Sequence, residues 1–283
     1  MATASAIKKE MEFHQDFSSL IEILKLLAVS QYYNLEKRTR SFEIFGDTIR
    51  TFFRMIGREA IHHPFLDSEK KDLGVVAITS DRGFVGGVNN KIMMIATGYL
   101  KNNPGKLIVV GSQGARFMQE MAIPFKGFSG ISEENKESLA SQLRDYIVNE
   151  VVSGKLGGIR VVYPHALSIM VQRIEELTLL PRRAWLKDNP ETSGRKNSEI
   201  LLESSPENIL EYLIFLWLEQ KFYEILGLAH LAEYAARYLH LEESIQKINE
   251  ENKKLKFRYF HARHEIIDQQ MRELFAAQSI YAK

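Results

Sequence analysis

The sequence contains no cysteine among its 283 residues. This absence excludes disulfide bonds, thiolate metal sites and a cysteine nucleophile. Long apolar runs are missing too, since the longest, LGVVAITS and LIVVG, fall far short of the roughly 20 residues that a spanning helix needs. The first residues, MATASAIKKEMEF, also lack the apolar core of a secretory signal. We therefore expect any attachment to a membrane to run through other subunits.

An excess of charge of one sign is also lacking. The chain carries 37 basic and 36 acidic residues, which gives a formal net charge of +1. This near balance argues against nucleic acid as a mainly electrostatic partner. The hydrophobic content of 45% is typical of a globular protein with a sizeable core.

Proline and glycine are scarce at both ends of the chain. All seven prolines and fourteen of the seventeen glycines lie between Pro64 and Pro206. These two residue types interrupt helices most strongly. The distribution predicts two long helical arms, residues 1–63 and 207–283, on either side of a loop-rich middle, residues 64–206.

Both arms show the three- and four-residue spacing of coiled-coil helices. We predict a C-terminal seam with one polar break, Asn252, through these residues: Leu231, Tyr234, Tyr238, Leu241, Ile245, Ile248, Asn252, Leu255, Tyr259, Ala262 and Ile266. The predicted N-terminal seam is Phe13, Phe17, Leu20, Leu24 and Leu27. We expect the arms to pair as a long antiparallel two-helix coiled coil, and a helix of 77 residues would reach about 115 Å.

The middle alternates short apolar runs with helical patterns. Runs at 73–80 and 106–112 and the segment GGIRVVYPHA are predicted strands, as is SIMVQRIEELTLLP. The segment between the second and third strands reads as an amphipathic helix with Ser132 as its N-cap. Residues 187–200 are polar and are predicted to form a loop. This alternation predicts a small α/β sheet with parallel strands.

The glycine-rich stretch ITSDRGFVGGVNNKI (78–92) is a candidate phosphate-binding loop and can be compared with the two known motifs. A P-loop needs lysine and then serine or threonine directly after its last glycine, and a dinucleotide site needs G-x-G-x-x-G. Neither pattern is present, and GSQGAR after the second strand fails both tests. We therefore expect no nucleotide cofactor. The glycines are expected to allow a sharp strand-to-helix turn and close backbone approach, with Asp81 and Arg82 pairing with each other or with a neighbouring segment.

Other catalytic and metal-binding patterns are weak. His261 and His264 share one helix face, but a solvated or interface face is favoured over a metal site. The consecutive pairs Glu175-Glu176 and Glu242-Glu243 point in different directions, which does not suit an acid–base pair. By contrast, RYFHARHEIIDQQMRELFAAQSIYAK at the C-terminus is apolar on several sides. A helix of this kind is expected to be enclosed by partner subunits.

Five blocks, in order along the chain, resemble the gamma subunit of F-type ATP synthases. They are ITSDRGFVGGVNNKI, IVVGSQGARF, GGIRVVYPHALSIMVQRIEELTLLP, AEYAARYLHLEE and FRYFHARHEIIDQQMRELFAA. The resemblance implies an antiparallel coiled coil inside a ring of three alpha and three beta subunits, with a Rossmann-like middle domain. It also implies a rotor shaft without bond chemistry of its own. The other implied partners are the epsilon subunit and the membrane c-ring, at the cytoplasmic face of a bacterial inner membrane.

The resemblance also implies contact residues. Leu24, Lys25 and Leu26 match a Met-Lys-Met segment near the mouth of the ring, and Glu203 matches a position that meets the c-ring. Contacts with the catch loops of alpha and beta subunits are implied for Arg263, His264 and Asp268, and a second catch for Glu233 and Arg237. The resemblance also implies a structural turn, the most characteristic block of the family, which corresponds here to Asp81, Arg82, Gly83, Gly86, Gly87 and Asn89.

Several departures mark a divergent member of that family. His264 stands where the family has glutamine, and Asp268 stands where it has threonine. Residues 30–34, SQYYN, replace a basic stretch, so the shaft is less basic than usual. Three alternatives remain open at this point: a static coiled-coil scaffold without rotary coupling, a gamma-like subunit of a specialised F1-like ATPase, and a nucleotide-binding enzyme.

Overall fold

Five helices and five strands form the described part of the chain. The computed structural model describes residues 4–39, 63–66, 72–181 and 204–281. The helices are α1 (Ala4–Thr39), α2 (Val88–Asn102), α3 (Ser112–Glu120), α4 (Lys136–Val152) and α5 (Pro206–Tyr281). The strands are β1 (Leu73–Ile78), β2 (Gly105–Val110), β3 (Lys126–Phe128), β4 (Gly158–Ala166) and β5 (Gln172–Leu180).

The five strands make one mixed sheet in the order β3-β2-β1-β4-β5. Strands β3, β2, β1 and β4 run parallel, as expected when helices connect successive strands. Strand β5 pairs antiparallel with β4 because a short turn, not a helix, joins the two. The sequence prediction of parallel strands is therefore wrong for β5, and the three-residue strand β3 was not predicted.

Each face of the sheet is covered by helices, which explains the nearly uninterrupted apolar runs of the central strands. Alternate residues of β1 divide between the faces: Val76 and Ile78 join α4 and α5 in one cluster, whereas Val75 and Ala77 join α2 and α3 in the other. The contribution of α5 to the first cluster is a row of buried residues: Leu210, Ile214, Trp217, Leu218, Phe222, Ile225, Leu226 and Ala229.

The start of α4 differs from its prediction. The helix begins at Lys136, and the residue at its N-cap position is Asn135. Ser132 instead exchanges hydrogen bonds with Asn135: its backbone N–H donates to Asn135 Oδ1 at 2.8 Å, and its Oγ accepts from the Asn135 N–H at 3.2 Å. These reciprocal bonds are those of a capping box, so Ser132 caps the turn that leads into α4, although the helix itself is assigned only from Lys136.

The described chain separates into two compact units. One, here called the coil unit, comprises Met1–Ala28 and Tyr238–Lys283, and the other, the sheet unit, comprises Val29–Arg237. In the coil unit α1 and α5 are antiparallel: Ile21 packs with Leu241 and Ile245, and the Lys25 ammonium reaches a Glu242 carboxylate oxygen at 2.9 Å. In the sheet unit, Tyr32 and Leu35 of α1 pack against α5 at Leu231, Ala232 and Ala235.

The predicted seam of α5 is confirmed over most of its length. Its members from Leu231 to Ala262 are buried or half-buried, whereas Ile266 is 44% exposed. Ile266 lies beyond the residues that α1 covers. The fold class is also confirmed, since an N-terminal helix, a long C-terminal helix and a largely parallel sheet are all present.

The predicted seam of α1 is wrong. Phe13, Phe17, Leu20 and Leu27 are between 42% and 64% exposed, and only Leu24 packs towards α5. The side chains that face α5 lie one position further along the helix and are buried or half-buried: Ile7, Met11, His14, Ser18, Ile21, Lys25 and Ala28. Both sets have coiled-coil spacing, and the more apolar set faces outward.

The predicted three-part division places its boundaries at residues 63 and 206. Helix α1 ends at Thr39 and α5 begins at Pro206, while residues 40–62 lie outside the described part, as does the predicted loop 187–200. The division at residues 63 and 206 stays a prediction. Among the described helices, none is both long and apolar enough to cross a membrane.

Gly111, in the turn between β2 and α3, provides a test of the sheet unit. Its φ is +94°, and an added Cβ would lie 2.2 Å from the Thr79 carbonyl oxygen. We expect Gly111→Ala to lower the free energy of unfolding by roughly 3 kcal/mol, because backbone strain and a clash with main chain act together. Denaturant unfolding followed by circular dichroism measures this.

Gly98→Ala in α2 is the matched control. Outside the neighbouring backbone of its own helix, no atom of the described residues lies within 4 Å of a Cβ built at Gly98, so this substitution should stabilise the helix by about 1 kcal/mol. Equal effects of the two substitutions would contradict the assigned turn geometry.

Candidate functional site

The turn after β1 is held to the neighbouring strand and helix by Asp81. The carboxylate of Asp81 accepts a hydrogen bond from the backbone N–H of Ser112, the first residue of α3, at 2.7 Å. The Asp81 carbonyl accepts further bonds from Ser112 Oγ at 3.0 Å and from Gln113 Nε2 at 3.2 Å. A helix N-terminus favours negative charge. The chain thus places its own carboxylate where an anionic ligand of α3 would otherwise bind.

Close approach explains two glycines around this turn. A Cβ at Gly130 would lie 1.9 Å from a carboxylate oxygen of Asp81, and one at Gly114 would lie 2.6 Å from Thr79 Oγ1. The Gly114 N–H donates to that hydroxyl at 3.0 Å. Sequence analysis missed Thr79 and Gly130, because their partners lie more than thirty residues away along the chain.

The glycines of the predicted turn have different roles. Gly86 has a φ of +61°, a left-handed conformation that favours glycine, so the sharp turn falls there. Gly83 and Gly87 have open space where a Cβ would be, so the expected close approach does not apply to them. Phe84 also has a positive φ, +63°, and its ring is 57% exposed.

Asn89 joins the end of β1 to the first turn of α2. Its Oδ1 accepts from the Ser80 N–H at 3.2 Å, and its Nδ2 donates to Ser80 Oγ at 2.8 Å. Ser80 Oγ in turn donates to the Arg82 carbonyl at 2.9 Å. The strand end, the turn and the helix start are therefore tied together by side chains of the chain itself.

Helix α5 braces the same turn through Glu233 and Arg237. Arg237 donates to Glu233 Oε1 at 2.5 Å and to the Gly83 carbonyl at 3.5 Å, and both charged side chains are only 12% exposed. Burial raises the pKa of Glu233, and the nearby charge of Asp81 adds to this, whereas Arg237 and Arg82 oppose it. Glu233 also lines a small cavity with Ser80 and Asn89.

The structure therefore brings two groups of predicted residues together. Asp81, Arg82, Gly83, Gly86, Gly87 and Asn89 form one turn, and Glu233 and Arg237 pack against it. The guanidinium of Arg237 additionally lies 5.1 Å from the centre of the Tyr234 ring. This junction belongs wholly to the sheet unit.

The remaining predicted contact residues lie in the coil unit. Lys25 is occupied by its ion pair with Glu242, and that hydrogen bond raises the pKa of Lys25. Leu24 packs beside Ile21, whereas Leu26 is 64% exposed. Further along α5, Arg263, His264 and Asp268 are all exposed. Glu203 lies outside the described residues.

Other titratable groups are used within the chain. Glu175 and Glu176 point to opposite faces of β5: the Tyr163 hydroxyl donates to Glu175 at 2.8 Å, and the Tyr99 hydroxyl donates to Glu176. Burial alone would raise the pKa of Glu175, but its bonds with His165, Tyr163 and Arg173 bring it down to about 2. No cluster of three or more potential ligands for a metal ion occurs within the described ranges.

Glu133, which lies just before α4, contacts residues of both α1 and α5. Sequence analysis did not predict these contacts. Its carboxylate lies 3.1 Å from an Arg38 guanidinium nitrogen and 3.6 Å from Nδ1 of His230. Arg38 belongs to the last turn of α1 and His230 to α5. Burial lowers the pKa of His230, whose side chain is 9% exposed.

Asp81, Asn89, Glu233 and Arg237 of this junction are all hydrogen-bonded within the chain. The fold combines an antiparallel two-helix coil with a five-stranded α/β sheet. These features are typical of a structural shaft subunit. A family model described as ATP synthase matches residues 3–279. The chain belongs to the ATP synthase family.

Similar proteins are gamma chains of this family. The ATP synthase gamma chain of Symbiobacterium thermophilum is 24% identical over 277 residues, with 95% of each chain covered. That of Haemophilus influenzae is 23% identical over 287 residues, with 98% of each covered. The resemblance to gamma subunits noted from the sequence is confirmed, and the alternative of a static scaffold is not favoured.

Solved structures with a similar fold come from mitochondrial ATP synthases. The rotor of Euglena gracilis has a TM-score of 0.64 at 17% identity, covering 93% of this chain and 98% of that one. A second Euglena structure, of OSCP, F1 and c-ring, has a TM-score of 0.66 at 16% identity, covering 98% and 93%. The central stalk and c-ring structure of Tetrahymena thermophila has 0.61 at 17% identity, covering 80% and 99%.

The raised pKa of Glu233 provides a test of its buried position beside Arg237. The folded chain holds the Glu233 proton more tightly than the unfolded chain, so this group lowers stability as pH rises from the ordinary glutamate range through the raised pKa. Glu233→Gln removes that loss while keeping an acceptor for Arg237. We expect the variant to gain stability relative to the native chain as pH rises from about 4 to 7.

Denaturant unfolding at a series of pH values measures the difference. Glu120→Gln, an exposed substitution in α3, is the control and should run parallel to the native chain. A Glu233→Gln curve that also runs parallel would show that Glu233 is not buried as described.

Proposed function

We propose that this chain is the central rotor shaft of an F-type ATP synthase. Its coil unit is enclosed by alpha and beta subunits, and its sheet unit meets the epsilon subunit and the membrane c-ring. Turning the shaft presents different sides to each catalytic beta subunit in succession. The chain itself carries out no bond chemistry, and it is attached peripherally at the cytoplasmic face of a bacterial membrane through these partners.

The observation that carries this proposal is the apolar outer surface of the coil unit. On α1 it comprises Phe13, Phe17, Leu20, Ile23, Leu26 and Leu27, each at least 42% exposed. On α5 it comprises Phe257, Phe260, Ile266, Ile267, Met271, Leu274 and Phe275, each at least 43% exposed. Exposed apolar surface of this extent marks an interaction site. A surrounding ring of subunits would cover it on all sides.

The coil unit is also uneven along its length. Between Tyr238 and Ala262, one side of α5 is buried or half-buried and packs on α1, whereas the side chains of residues 263–276 are all exposed. A shaft of two helices that continues as one helix has no rotational symmetry. Such a shaft can impose different contacts on otherwise identical neighbours.

The charged residues implied by the family resemblance remain part of this proposal. Arg263, His264 and Asp268 are exposed and are available for charge-assisted hydrogen bonds to surrounding subunits. Leu26 faces outward beside the internal pair of Lys25 with Glu242. We retain Glu233 and Arg237 as a second contact, made through the turn that they brace, and Glu203 as the contact to the c-ring.

Rotation of the chain within its complex is the test. Because the chain lacks cysteine, Lys101→Cys, at an exposed position of α2, gives a single attachment point for an optical marker. The complex with alpha and beta subunits is immobilised through the beta subunits. We expect ATP to drive continuous rotation of the marker in one direction. ATP hydrolysis with a stationary marker would contradict the proposal.

A charge on the outer surface tests enclosure separately. Leu26→Glu should leave the stability of the free chain nearly unchanged, because residue 26 is 64% exposed. In the complex it would bury an unpaired carboxylate, so we expect assembly with alpha and beta subunits to weaken by roughly tenfold or more.

Glu22→Gln, at an exposed position four residues earlier, is the matched control and should assemble normally. Binding of the chain to alpha and beta subunits, measured by calorimetry, gives the comparison. Equal affinities of the two variants would count against an enclosed Leu26.

A further inference from the structure

The seam between α1 and α5 in the coil unit is unusually polar. On the α1 side, His14, Ser18 and Lys25 alternate with Ile7, Met11, Ile21 and Ala28. A stable coiled coil places apolar residues at nearly all such positions, and a single polar residue there already reduces stability. The buried apolar residues of this unit are few: Ile7, Ile21, Ala28, Leu241, Ile245 and Leu255.

Two of the polar seam residues lie opposite each other. Ile21 packs with Ile245. One heptad before Ile21 is His14, and one heptad after Ile245 is Asn252. In an antiparallel pair these steps lead to the same layer. Glu251, the neighbour of Asn252, accordingly lies close enough to His14 to interact with it electrostatically.

In this layer, two buried polar side-chain atoms lack hydrogen-bond partners within the described part of the chain. Nδ1 of His14 and Oδ1 of Asn252 are both buried, and neither has a partner among the described residues. A buried polar atom without a partner forfeits its bonds to water and gains nothing in return. The His14–Asn252 layer therefore weakens the pairing of the two helices.

The apolar residues that would strengthen the seam are on the outside of α1. Phe13 and Phe17 stack on each other with ring centres 6.0 Å apart, and they are 64% and 42% exposed. The first half of α1 thus keeps its best hydrophobic face away from α5. Burial of that face requires a neighbour other than α5.

We propose that the coil unit is only partly ordered in the free chain and becomes fully ordered when its outer apolar face is covered, with the His14–Asn252 layer setting this dependence. The assignment of alpha and beta subunits as the proteins that cover this face rests on the proposed function. The polar seam keeps the two helices from closing firmly on their own, so assembly and ordering of α1 occur together.

Hydrogen exchange in the free full-length chain tests the first half of this proposal. We expect amides of residues 8–28 to exchange at least a hundredfold faster than those of residues 214–229 of α5, which pack on the sheet. Rates within threefold of each other would overturn the proposal.

A double variant tests the role of the polar layer. His14→Leu with Asn252→Leu should slow exchange of residues 8–28 in the free chain by at least tenfold. The control is Gln15→Leu with Lys253→Leu, which adds two leucines at the adjacent exposed positions and should leave exchange unchanged. Equal slowing by both double variants, or none by either, would contradict the assignment of this layer.

Exchange in the complex with alpha and beta subunits tests the second half. There the native chain should reach at least the protection of the His14→Leu, Asn252→Leu variant. A complex that forms while residues 8–28 stay unprotected would overturn the coupling of order to enclosure. Failure of the chain to bind these subunits at all would instead count against the proposed function, so the two failures are distinguishable.

Discussion

The packing of α5 on one face of the sheet is the contact on which the rest of the structure depends. Its row of buried residues from Leu210 to Ala229 completes the core that β1, β2 and β4 share with α4. The same unbroken helix continues to Tyr281 and supplies one half of the coil unit. Because Glu233 and Arg237 follow directly after this row, the brace to the turn at Gly83 is placed by the same packing. One helix therefore contributes both to the core of the sheet unit and to the exposed apolar surface of the coil unit.

The polar groups of the turn after β1 are bonded to other groups of the chain. The Asp81 carboxylate takes the N-terminus of α3, and Asn89 and Ser80 bond to each other. The hydrogen-bonding capacity that a binding loop would offer is thus consumed internally, while large apolar side chains such as Phe17 and Leu26 stay outside. Exposed apolar side chains of this kind are typical of a surface that contacts other proteins.

Sequence periodicity predicted the seam of α5 because one of its faces has an apolar or aromatic residue at every step from Leu231 to Ile248. It failed for α1 because two neighbouring faces there have coiled-coil spacing, and hydrophobicity favoured Phe13 and Phe17, which face outward. Strand β3 is too short to leave a pattern. The hydrogen bond from Arg237 to the Gly83 carbonyl joins segments that are distant along the chain, and so do the contacts of Glu133 with Arg38 and His230. The spacing of residues along the chain does not encode such contacts. The resemblance to gamma subunits identified the residues of the turn, but only the structure showed which of them pack against α5.

The central claim is that α1 and α5 turn together as a single shaft. A disulfide between Ile21→Cys and Ile245→Cys, in a chain with no other cysteine, would join the two helices at a layer where they already pack. The decisive measurement is ATP-driven rotation of the complex before and after reduction of that bond. The account predicts the same rotation rate in both states. Rotation that stops when the bond forms and returns on reduction would show that the helices move past each other, and would contradict it.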